Sequence, residues 1–122
     1  MEKEIKKLRD FFIVLLNKTL PEIETEFRQA NTLTFANHKP IILAQIDLII
    51  KQLQEYLTKN SPPKKISFMI KAEINRWLNF REVIKTTTKN EFKKRRQDII
   101  VYLHQIDLES RVSNKNLLKL AA

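Results

Sequence analysis

No glycine occurs anywhere in the 122-residue chain. Average usage is roughly 7%, so the omission constrains the fold. Tight hairpins, phosphate-cradling loops and β-bulges lean on glycine for positive φ. A chain without it is steered away from those structures and toward helices, which can end on Asn, Ser or Lys instead. A hydrophobic fraction of 43% supplies enough apolar side chain for a core. At this length one domain, 1–122, is expected.

The spacing of the apolar residues points the same way. Ile5, Leu8, Phe12, Leu15 and Leu16 recur every three or four positions and predict a helix over about 2–18, with Phe11 and Val14 widening its stripe. Thr19-Leu20-Pro21-Glu22 has the form of a capping box, so a second helix is expected to residue 30; one kinked helix is the alternative. Residues 31–39 read as a loop, and Pro40 as the opening of a helix over 40–59 with the seam Ile42, Ile46, Ile49, Leu53, Tyr56. Ser61 is the expected N-cap of a helix over 63–86, whose seam is Ile66, Ile70, Glu73, Trp77, Phe80, Ile84. Thr88 and Glu91 form a second capping-box pattern before a helix over 89–109, with the seam Phe92, Arg96, Ile99, Leu103, Ile106. Ser113 is placed to cap a short last helix carrying Leu117, Leu118 and Leu120. Short connections favour antiparallel neighbours. The expected fold is all-α: a single compact bundle of four to five antiparallel helices, in which 63–86 and 89–109 form a basic hairpin turning near Thr87.

Several chemistries are excluded or disfavoured by count. Without cysteine there is no disulfide, thiolate metal site or cysteine nucleophile, which suits a cytoplasmic protein. The two histidines, His38 and His104, have no carboxylate or second histidine at ligand spacing, so no metal is expected, and His104 reads as a surface residue. An Arg–His pair acting together on one helix, as in HEPN ribonucleases, needs closer spacing than the eight positions between Arg96 and His104. At about 100° per residue those side chains diverge by some 80°. No enzyme activity and no cofactor are expected. The apolar runs at 11–16 and 41–50 fall short of the roughly 20 residues that span a bilayer, so no transmembrane segment is expected.

Two charged residues interrupt the apolar seams. A buried lone charge costs several kcal/mol, so Glu73 and Arg96 must find partners or escape. A hairpin centred on Thr87 sets Glu73 near Tyr102 and Arg96 near Asn79 and Phe80. The two either snorkel at bundle edges or line a polar groove. Trp77 and Phe80 are expected in the core.

Charge distribution is the strongest functional clue. The net charge is +9, and residues 61–96 hold eleven basic and three acidic residues. On a helical wheel Lys64, Lys71, Arg81, Lys85 and Lys89 fall in one stripe beside the core face, with Lys65 and Arg76 on the other flank. Lys93, Lys94, Arg95 and Arg96 follow at the start of the next helix, which concentrates positive charge near the turn. Closely spaced cations suit a phosphate backbone. Aromatic residues are not read as interleaved with them, unlike a single-strand stacking platform. The expected function is therefore a nucleic-acid-binding or nucleoprotein-assembly module, alone or as a subunit of a larger assembly. It would contact DNA or RNA phosphates through Lys64, Lys71, Arg81, Lys85, Lys89, Lys93, Lys94, Arg95 and Arg96. The alternative is an adaptor, inhibitor or immunity-type protein that docks an acidic partner through the same face. Docking on an anionic membrane is a third, weaker reading, for which the first helix lacks an exposed apolar face with a basic rim.

Overall fold

The computed structural model describes residues 2–116. They form four helices: α1 Glu2–Gln29, α2 Phe35–Asn60, α3 Lys64–Thr86 and α4 Lys89–Lys115. Helices adjacent in sequence pack together, and α4 closes the ring against α1. Short connections make the path up-down-up-down, with α1 and α3 on one diagonal and α2 and α4 on the other. One apolar cluster fills the centre, drawn largely from the predicted seams and joined by Phe35, Ile50, Ile74 and Ile100, with Ile23, Phe27, Ile42, Ile46, Ile49, Trp77, Phe80 and Ile84 fully enclosed. Aromatic rings bridge both diagonals: Phe27 lies edge-on to Phe80 at 6.4 Å, and Phe35 stacks on Phe92 at 4.2 Å.

Several local expectations are corrected. Pro21 does not divide the first segment, because it lies inside α1. Leu8, Phe12, Leu15, Leu16, Leu20, Ile23 and Phe27 form one buried stripe through it, and this burial outweighs the single backbone bond that proline removes. Pro21 and Asn17 lie on the exposed side. Thr19 is not an N-cap; its hydroxyl donates back to the Leu15 carbonyl at 2.6 Å. Val14 stays outside the stripe and is exposed.

The loop before α2 is shorter than expected. The Asn31 side chain accepts from the Leu33 and Thr34 amides at 2.9 and 3.0 Å, while the Thr34 hydroxyl accepts from the Asn31 amide at 3.0 Å. This reciprocal turn starts α2 at Phe35, whose buried ring anchors it, and Pro40 lies within the helix on its exposed side.

Ser61 ends α2 instead of starting α3. It adopts φ 41, ψ 58 and donates its amide to the Leu57 carbonyl. This left-handed C-cap is the position glycine usually takes. In a chain without glycine, serine bears the strain. At the other turn Thr88 and Glu91 form the predicted capping box. α4 runs through Ser113 to Lys115, so Ser113 caps nothing, and Leu117, Leu118 and Leu120 lie outside the described residues.

The α3–α4 register also differs from that of a symmetric hairpin. Tyr102 packs on Phe80 at 5.2 Å, and Glu73 meets Ser110 about two turns beyond Tyr102. Thr87 and Thr88 are extended and carry the chain across the end of the bundle. The first two turns of α4 therefore lie over the 31–35 segment, not against α3, with Phe92 on Phe35 and the Arg96 guanidinium donating to the Arg28 carbonyl. Glu73 neither snorkels nor lines a groove. It is buried and accepts from Trp77 Nε1 at 3.0 Å and from the Ser110 hydroxyl, with Arg76 at 3.4 Å.

Candidate nucleic-acid interface

The antiparallel path brings the end of α1, the start of α2, the end of α3 and the start of α4 to one end of the bundle. Three long-range contacts fix this end: Arg96 to the Arg28 carbonyl, Phe92 on Phe35, and Lys39 to the last turn of α3. Lys39 Nζ donates to the carbonyls of Lys85 at 2.7 Å and Thr87 at 3.1 Å, a cation placed on the negative end of the α3 dipole. Lys39 is then committed to the fold and not offered to a ligand.

Lys85, Lys89, Lys93 and Lys94 stand at this end, all exposed. No ion pair among the described residues involves any of them. They do not form a stripe. Lys93 faces the α1 side of α4 and Lys94 points away from the core, while Lys85 lies on α3 and Lys89 opens α4. The cations ring the corner of the bundle. Glu91 is held below the usual carboxylate range by the Thr88 hydroxyl and amide and, more weakly, by the Arg95 charge. It stays ionised and pairs with Arg95 at 2.9 Å.

The remaining expected residues separate from this group. Arg81 points to α2 and pairs with Asp47 at 2.6 Å, which raises its pKa further through that hydrogen bond and charge. Arg96 is half-buried, lies over the Phe92 ring at 6.0 Å and spends its guanidinium on the Arg28 carbonyl. Lys64 and Lys71 are exposed on the outer face of α3, about 30 and 20 Å along the axis from Lys85. On the other flank, Lys65 is exposed and Arg76 is tied to Glu73 and Glu109.

Two exposed apolar residues belong to these surfaces and were not read from the sequence. Leu33 is 84% exposed and walls a shallow groove of about 400 Å³ with Phe92, Lys93 and Arg96. Phe68 is 76% exposed, between Lys64 and Lys71 at spacings of four and three. An aromatic ring is thus interleaved with lysines on α3, contrary to expectation. The signal for Phe68 was its helical phase, which sets it with Lys64 and Lys71 and away from the seam. The signal for Leu33 was a large apolar residue in a polar turn.

His38 and His104 take structural partners. His38 lies within α2, not a loop, and bonds Glu26 at 2.6 Å. His104, exposed as expected, bonds Glu24 of α1. Among the described residues no three His, Asp or Glu side chains are grouped to hold a metal ion, and no helix is long and apolar enough to cross a membrane. No family model matches the chain, and comparison with curated proteins and with solved structures returns no significant match.

Proposed function

We propose that this chain is a non-enzymatic, cytoplasmic nucleic-acid-binding or nucleoprotein-assembly module that holds phosphate backbone at the α3–α4 end of the bundle. The observation that carries the reading is the group Lys85, Lys89, Lys93 and Lys94, four exposed cations at one corner without carboxylate partners among the described residues. Arg95 adds to their field across its pair with Glu91. Arg96 supports the corner from beneath, and Lys64, Lys71 and Arg81 are secondary.

The chemistry of the corner favours nucleic acid over protein. Its free cations are lysines, flexible point charges that suit phosphate but lack the planar fork for reading bases. Protein interfaces are depleted of lysine, whose ordering is costly. Binding is then electrostatic and indifferent to sequence. A second reading, an adaptor or immunity-type protein docking an acidic partner at the same end, draws support from Leu33, an apolar tip beside Lys93 and Arg96.

Fluorescence anisotropy with random-sequence single- and double-stranded oligonucleotides, at several salt concentrations, tests the reading. Replacing Lys85, Lys89, Lys93 and Lys94 together by Ala should flatten the slope of log affinity against log salt by about three to four on duplex. Replacing Lys64 and Lys71 should cost much less. Unchanged binding by the fourfold variant, with helicity intact, would reject nucleic acid as the ligand of this end.

A further inference from the structure

The outward side of α4 carries apolar side chains that the bundle does not use. Val101, Leu108 and Val112 are 57%, 59% and 50% exposed. With Gln105 they form a line on the side of α4 opposite Phe92, Ile99, Leu103 and Ile106, which already fill the core face. Among the described residues nothing in the packing accounts for them. Elsewhere the exposed large hydrophobics stand alone on a helix, out of phase with one another or, for Leu33, in a turn. Val14 and Ile41 are solitary on α1 and α2, and Phe68 and Leu78 diverge by about 80° on α3.

One step further in each direction the line reaches exposed Asp98 and Lys115. Asp98, Val101, Gln105, Leu108, Val112 and Lys115 follow a 3-4-3-4-3 spacing, the rhythm of a coiled-coil seam. The seam is complementary to itself in only one direction. If Val101 is set against Val112 of a second copy running antiparallel, Gln105 falls against Leu108 and Asp98 against Lys115. Every contact is then made twice about a twofold axis. A parallel pair would oppose Asp98 to Asp98 and Lys115 to Lys115. Neither Asp98 nor Lys115 takes part in an ion pair among the described residues, so both charges are free for a second chain. Beside the line a shallow groove of about 500 Å³, bounded by Arg76 and Asn79 of α3, leaves room for the side chains of a neighbouring helix.

We propose that this face of α4 is a homodimer interface in which a second copy of the chain packs antiparallel over 98–115. The seam is about 25 Å long and holds three apolar residues per chain. The dimer is accordingly weak and concentration-dependent. Its residues do not include Lys85, Lys89, Lys93 or Lys94; Lys94 lies one turn before Asp98 on the same side of α4, and the variants at 101, 108 and 112 leave it in place, so the dimer is tested separately from nucleic-acid binding.

Sedimentation equilibrium up to about 1 mM chain should show a monomer–dimer equilibrium, with Leu108→Glu raising its dissociation constant about tenfold or more at unchanged helicity. Asp98→Lys and Lys115→Asp should each weaken the dimer, and the double variant should restore it. Register is read by crosslinking, which is free of background because the chain has no cysteine. Val101→Cys mixed with Val112→Cys should form an intermolecular disulfide on oxidation. Val101→Cys alone should not, because antiparallel packing holds its two copies about 16 Å apart. A monomer at every concentration, a dimer indifferent to Leu108→Glu, or self-crosslinking of Val101→Cys would each overturn the proposal.

Discussion

Glu73 sits where an apolar side chain belongs in the α3 seam, and its burial is matched by three donors. Trp77 Nε1 and the Ser110 hydroxyl bond one carboxylate oxygen, and Arg76 approaches the other at 3.4 Å. Arg76 extends the network by donating to the Ser113 hydroxyl at 3.1 Å. A buried carboxylate held in this way fixes one arrangement of two helices, because sliding by a residue strands its partners, although Arg76 Nε itself finds no hydrogen-bond acceptor. Glu73→Ala should cost about 3 kcal/mol in urea unfolding, since it leaves the Trp77 indole and Ser110 without their acceptor. The emission of the single Trp77 should shift with it. The sequence marked Glu73 as anomalous. It did not supply Ser110, because partners 37 positions apart are joined only by the crossing of two helices.

The two ends of α4 show how far local chemistry reaches. Thr88 and Glu91 were legible as a cap because all its atoms lie within four residues, and both reciprocal bonds form, at 3.3 and 3.4 Å. Thr88→Ala should lower stability by about 1 kcal/mol, measured by chemical denaturation, and loosen the corner that displays Lys89, Lys93 and Lys94. Five lysines and arginines in the first two turns oppose the helix dipole, so the cap and the ionised Glu91 carry more weight there than in an ordinary helix. Thr19-Leu20-Pro21-Glu22 offers the same local pattern and is overruled. An apolar stripe continuous from Leu8 to Phe27 holds α1 together across Pro21. Ser61 departs from its local pattern for a related reason: serine favours N-caps, and only the geometry of the α2–α3 turn puts it at positive φ.

Across the whole molecule, side-chain bonds between helices tie the ring of four together. His104 joins α4 to α1 at Glu24, Arg111 reaches Asn17 at 2.9 Å, and Arg81 joins α3 to Asp47 on α2. The hydrogen bond from His104 is the chief cause that holds the Glu24 pKa below its ordinary value, with the charges of His104 and Arg28 adding to it and partial burial opposing. Folding therefore favours the ionised carboxylate. Its contribution is complete above the ordinary carboxylate pKa and is lost as pH falls through the depressed one. Denaturation midpoints of the protein and its Glu24→Gln variant should accordingly differ just above the carboxylate range, with the gap closing as pH falls through it. A gap that stays constant with pH would show that the His104 contact does not form in solution.

The sequence alone determined that this chain is helical, most of the residues that face inward, and that its positive charge is concentrated between 61 and 96. Those properties follow from the missing glycines, from a period near 3.6 and from composition, all of which are local in the chain. Only the tertiary structure decided which lysines share a corner. Arg81 is neutralised by Asp47 and Arg96 is turned inward, while Lys64 is carried some 30 Å away, because each outcome depends on what another helix presents. The same holds for the outer stripe of α4. Its spacing is written in the sequence, but that Val101, Leu108 and Val112 remain uncovered follows from where the other three helices pack.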